Sequence, residues 1–117
     1  KVKRKKGIFK MVKKEIYNKC ITFYLRCRDE LNLDIDGLMI FGSYAKKKQR
    51  KDSDIDLAVL SEKFGKNPMK EGIKLENLAV DIDPRFQVLA LNKNEYLDQP
   101  SMSPIIYEIQ KHHVWII

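Results

Sequence analysis

The sequence predicts an α+β domain in which helices pack on a small β-sheet, and three observations carry that reading. One long segment spaces its apolar residues as a helix does, two later segments alternate apolar and polar residues with the period of a strand, and 117 residues suffice for one domain with a modest core. Hydrophobic residues make up 44% of the chain and charged residues 33%, the balance of a folded protein rather than a disordered one.

The first element is a helix: Ile8, Val12, Ile16, Cys20, Phe23, Cys27 and Leu31 step by three or four and keep one face apolar. The Asn, Asp and Gly of residues 32–37 end it, and Leu38, Met39, Ile40 and Phe41 form a short continuous apolar run, as in a buried strand. Gly42 and Ser43 close that strand, and the polar, basic residues 44–51 are expected to form a short helix capped by Ser43. Ile55, Leu57 and Val59 then alternate with Asp54, Asp56 and Ala58, a second strand with carboxylates on its other face. Residues 61–72, with two Gly and a Pro, read as loop. Leu78, Val80, Ile82, Phe86, Val88 and Ala90 continue the alternation through Pro84 and predict a third strand, with Asp81, Asp83, Arg85 and Gln87 together on the opposite face. Ser103 and Pro104 open a last short helix, and the apolar residues 114–117 are expected to add an edge strand.

The net charge of +7 is unevenly placed, because eight cations from Lys1 to Lys14 precede the first acid, Glu15. A terminal run of this kind reads as a solvated tail, so nucleic acid is not the expected partner. Residues 1–10 are expected to be a basic tail and 11–117 the domain, with Met11 marking a candidate start. No segment has the apolar length of a signal peptide core or a membrane span, and the expected location is cytoplasmic, away from membranes. Cys20 and Cys27 lie seven apart on the apolar helix face and read as reduced core residues. His112 and His113 have no acid or cysteine at ligand spacing and read as surface residues.

Chemistry concentrates between Phe41 and Leu57. Two carboxylates at alternate positions on one strand face sit about 7 Å apart and repel, and a divalent cation relieves that repulsion. Mg²⁺ takes octahedral oxygen ligands, commonly one or two carboxylates plus substrate phosphates, so Asp54 and Asp56 suit the protein half of such a site. The Gly42-Ser43 turn offers the other half: glycine lets backbone approach phosphate closely, and the serine hydroxyl donates.

Gly42-Ser43-Tyr44-Ala45-Lys46-Lys47, five residues, then Ser53-Asp54-Ile55-Asp56 resembles the signature G-S-x-A-[RK]-G, five residues, S-D-x-D of the small minimal nucleotidyltransferases in the DNA polymerase beta superfamily. The resemblance implies that superfamily's fold, a small mixed sheet with helices on one side. It implies phosphate contacts from Gly42 and Ser43 and catalytic Mg²⁺ ligands in Asp54, Asp56 and a third carboxylate. Ser53 is expected among the nucleotide-binding residues, and Arg85, on the face of Asp83, reads equally as a phosphate contact or as a structural counter-charge to the acids. Asp81 and Asp83 are both candidates for the third, and Asp83 is favoured because Asp83-Pro84-Arg85-Phe86-Gln87 resembles the family's D-x-R-I-E-P segment. The implied activity is transfer of a nucleoside monophosphate, AMP from ATP, to a hydroxyl of a separate acceptor. The implied acceptor is a HEPN-type toxin for which the chain acts as antitoxin. The alternative is a catalytically weak module of the same fold that works by binding its partner. Two departures bear on that choice: Lys47 stands where the family has glycine, and Gln87 where it has glutamate.

Overall fold

The computed structural model describes residue 7 and residues 12–97 and 103–117, so the expected basic tail and Met11 lie outside the described residues apart from Gly7. Helix α1 (Lys14–Glu30) buries Ile16, Cys20, Phe23 and Cys27, the expected stripe. Asn32, at φ 51°, turns the chain out of it, and the Leu33 N–H closes on the Cys27 carbonyl at 3.1 Å. Strand β1 (Gly37–Phe41) follows, then β2 (Ile55–Ser61) and β3 (Phe86–Asn92), with helix α2 (Pro68–Ile82) between them. Helices α3 (Lys93–Leu97) and α4 (Pro104–Lys111) precede the two-residue strand β4 (Val114–Trp115).

The sheet order is β3-β2-β1-β4, with β1 antiparallel to β2 and β4, and β2 parallel to β3. The parallel pair requires a crossover, and α2 supplies it. The two long helices share one face of this mixed sheet, where Leu38, Ile40, Leu57, Val59 and Phe86 pack with Phe23, Leu75 and Ala79. On the other face Met39, Phe41, Ala58 and Leu60 meet Tyr96 and Ile109 of the short α3 and α4. Strand β2 is covered on both sides, hence its nearly unbroken apolar run from Leu57 to Leu60.

Two expected elements come out differently. The alternation of Leu78, Val80 and Ile82 belongs to α2, which also takes the end of the expected loop. Asn67 caps α2 by accepting the Lys70 N–H, Pro68 starts it, and Leu75, Leu78 and Ala79 lie inward at helical spacing. The expected third strand therefore begins only after Pro84. Residues 43–48 form a single turn rather than a helix. The Lys48 N–H reaches the Ser43 carbonyl at 2.9 Å and the Lys47 N–H reaches the Tyr44 carbonyl at 3.3 Å, the bond pattern of a Schellman motif. Lys47 holds the left-handed position, φ 57°, that such a motif reserves for glycine.

Asp83 is one of two buried polar residues among those described, and cations surround it. Lys19 of α1 donates to its Oδ2 at 2.8 Å, Arg85 Nη2 to the same oxygen at 2.8 Å, and Arg85 Nε and backbone N–H to its Oδ1. These bonds, those from Arg85 above all, hold its carboxyl well below the usual carboxylate range. The cluster ties α1 to the entry of β3. Both thiols are buried, and burial pushes those of Cys20 and Cys27 up to about 12.

Two stability measurements check this. Replacing Asp83→Asn removes the charge that Lys19 and Arg85 share and turns one of its two acceptor oxygens into a donor, and should cost about 3 kcal/mol in urea unfolding. Because the folded state binds the Asp83 proton more weakly than the unfolded chain does, its stabilisation is complete above about pH 4 and drains as pH falls below that. Lys47→Gly relieves the left-handed strain and should stabilise the fold by about 0.5–1 kcal/mol, raising Tm by roughly 2–5 °C.

Candidate active site

The antiparallel register pairs Phe41 with Asp56, which brings the end of β1 over that carboxylate. Gly42 follows at φ 70°, and a Cβ there would lie 2.1 Å from Asp56 Oδ2. Glycine is thus required twice, by its backbone angle and by the carboxylate lying against it. Asp54 sits exposed one residue before β2, and Asp56 is half-buried. Desolvation and then the charge of Asp54 raise the proton affinity of Asp56. Among the described residues neither carboxylate has an ion-pair partner, in contrast to Asp83. Two uncompensated hard-oxygen donors beside an open glycine backbone fit a divalent cation such as Mg²⁺, which completes its shell with water and phosphate.

A cavity of about 370 Å³ opens beside Asp56, lined among others by Gly42, Gln87, Leu89, Ile105 and Glu108. Its walls are apolar at Phe41, Val88, Leu89 and Ile105 and polar at Gly42, Asp56, Gln87 and Glu108. Glu108 forms an ion pair with Lys46, of the Gly42–Lys47 turn, and that contact lowers the affinity of Glu108 for its proton. Sequence reading missed Glu108 and Ile105, because their place depends on how α4 folds back over the sheet. The helical spacing from Ser103 to Ile109 signals α4 but not its destination.

The other expected site residues divide. Ser43 sits in the turn directly after Gly42, where its carbonyl closes the Schellman motif. Ser53 turns inward on its own loop, its Oγ accepting the Arg50 N–H at 2.6 Å. Asp83 does not join Asp54 and Asp56: its Lys19 partner belongs to α1, on the opposite face of the sheet, and its oxygens are taken by cations. Arg85 goes with it, at a separate cationic cavity of about 380 Å³ that also includes Lys13, Arg50 and Lys51. Asp81 ends α2, exposed, and accepts from Arg26 Nη1 at 2.9 Å. The shared face expected for Asp81, Asp83, Arg85 and Gln87 fails because a helix end and a turn separate the first three from β3. Only Gln87 reaches the Asp56 face, directly beside Asp56 in the parallel register.

Gly42→Ala should displace the Asp56 carboxylate and lower stability by about 1–2 kcal/mol through backbone strain. Thermal unfolding reads the second effect, and the chemical shift of the Asp56 carboxyl carbon reads the first.

Among curated proteins none matches the chain. The crystal structure of a toxin-antitoxin with AMP-PNP resembles it with a TM-score of 0.58 and 25% identity, over 86% of this chain and 72% of that one. The family model described as Polymerase beta, Nucleotidyltransferase matches residues 13–114, which include both carboxylates, the Gly-Ser turn, β1 to β3 and the first residue of β4. The chain belongs to the polymerase beta nucleotidyltransferase family.

Proposed function

We propose that this protein is a Mg²⁺-dependent nucleotidyltransferase that moves AMP from ATP to a hydroxyl of a partner toxin of HEPN type, for which it serves as antitoxin. The single observation behind this reading is the Gly42–Asp56 contact, an uncompensated carboxylate pair held against a glycine turn at the mouth of a cavity. Family membership supports nucleotidyl transfer in general, and the toxin-antitoxin neighbour solved with AMP-PNP supports both the adenine nucleotide and the protein partner.

Asp54 and Asp56 would hold the Mg²⁺, which would supply positive charge to offset the charge that develops as diphosphate departs. Gly42 offers bare backbone to the phosphates, and Ser43 adds a hydroxyl donor. Lys46, kept at the cavity by Glu108, places a cation at the same entrance. Leu89 and Ile105 provide an apolar wall for the base. In the transfer, the acceptor hydroxyl oxygen bonds to the α-phosphorus, the α–β bridging P–O bond breaks, and diphosphate leaves with the electron pair. The hydroxyl proton passes to a nearby carboxylate or to solvent.

A second reading, a partner-binding module with weak or no transfer, is favoured by one observation: the neighbour of Asp56 on β3 is the neutral Gln87.

The decisive experiment titrates ATP calorimetrically with and without Mg²⁺ into the wild type and the Asp54→Asn, Asp56→Asn double variant, and follows label from α-³²P-ATP into a co-expressed HEPN partner. Mg²⁺-dependent binding should vanish in the double variant, and labelling should fall by at least 100-fold. The variant should fold with equal or slightly greater stability, since removing mutually repelling, partly desolvated charges relieves the metal-free protein. ATP binding that ignores both substitutions would overturn the proposal. Neutralisation of the toxin by the double variant at wild-type level would select the binding module.

A further inference from the structure

We infer that the site takes one divalent cation per bound nucleotide rather than two, and that Gln87 is the residue that sets this number. The inference rests on the nucleotidyltransferase reading above and concerns the same cavity. In the parallel pair, Asp56 and Gln87 are direct neighbours. Adjacent strands lie about 4.8 Å apart, so their side chains leave the same face within reach of a shared ligand. An acid at Gln87 would form a carboxylate bridge with Asp56 wide enough for a second ion. The glutamine side chain is exposed at the cavity and carries no charge.

Among the described residues, no other unpaired carboxylate lines the cavity. The Asp83 oxygens are taken by Lys19 and Arg85 on the α1 face, and Asp81 is paired with Arg26 at the end of α2. Glu108 reaches the cavity but is paired with Lys46. Among the described residues, no three of the His, Cys, Asp and Glu side chains are grouped so as to hold a metal ion. Two divalent ions about 3.5–4 Å apart repel strongly and are held by a shared set of anionic ligands. Asp54, Asp56 and a triphosphate suffice for one ion, which prefers a few carboxylate oxygens with phosphate and water. An amide oxygen at position 87 adds a neutral ligand where the second ion needs a charge. The entering hydroxyl then meets no ion of its own, and its proton has to be removed by a protein carboxylate or by water.

The test counts bound Mn²⁺ by electron paramagnetic resonance, with the α,β-methylene analogue of ATP as non-transferable nucleotide and a protein-free blank at equal nucleotide. Wild-type protein is expected to bind one Mn²⁺. Gln87→Glu and Gln87→Asp, both at an exposed strand position and checked for folding by circular dichroism, are expected to bind two, with the spectral broadening of a coupled pair. Two ions in the wild type would overturn the inference and leave the nucleotide site standing. One ion in the wild type and in both variants would remove Gln87 as its cause. No bound ion in the wild type at millimolar nucleotide would overturn the inference together with the reading beneath it.

Discussion

The site depends on the register of β1 against β2. Gly37 pairs with Leu60 and Phe41 with Asp56, and that single alignment brings the last residue of one strand and its following glycine onto the carboxylate of the other. A slip of one residue would turn Asp56 into the α1 side of the core and bring Leu57 to the cavity face. The alignment is fixed because both faces of β2 are buried, so no alternative pairing keeps its apolar residues covered. Function and folding are thus secured by the same contacts: the packing that prevents slippage also prevents the carboxylate from moving away from the turn.

Asp83 and Asp56 stand in opposite electrostatic situations. Asp83 is surrounded by donors, and its charge is the centre of a link between a helix and a strand entry. Asp56 is partly stripped of water, faces another acid and has no cation of its own among the described residues. The first arrangement is satisfied by the chain alone, whereas the second is unfavourable until something positive arrives. That contrast distinguishes a structural acid from one proposed as a cation ligand, although both occur in segments that resemble the same family.

Much of this was legible in the residues. The periods of α1 and of β1 and β2, the Ser103-Pro104 start of α4 and the apolar end that became β4 follow from local spacing, which local sequence encodes. The Gly-Ser and Asp-x-Asp pattern located the turn and the two carboxylates. What local pattern could not supply was the identity of residues 78–82: Leu, Val and Ile at alternate positions fit a strand, and only burial of Leu75, Leu78 and Ala79 on one side makes a helix of them. The error carried over to the third acid, because Asp81 and Asp83 share a face with Gln87 only if one strand runs through all three. Cross-strand neighbours such as Asp56 and Gln87, and the return of α4 to the cavity with Glu108, are tertiary facts without a local signal. The strain at Lys47 was visible as a departure from a glycine position, and the Schellman bonds give its cause.

The two cysteines carry a consequence for how the domain opens. Both lie under α1 against the sheet, with thiols that ionise only near the upper end of the accessible pH range, about 12. At neutral pH the folded chain therefore presents almost no thiolate to an alkylating reagent or to peroxide. Any modification must pass through a state in which α1 has lifted from the strands, so the rate of labelling becomes a clock for that lifting. Partner binding over α1 or its Lys19 tether to Asp83 would slow the clock, and binding elsewhere would leave it running at the rate of the isolated domain.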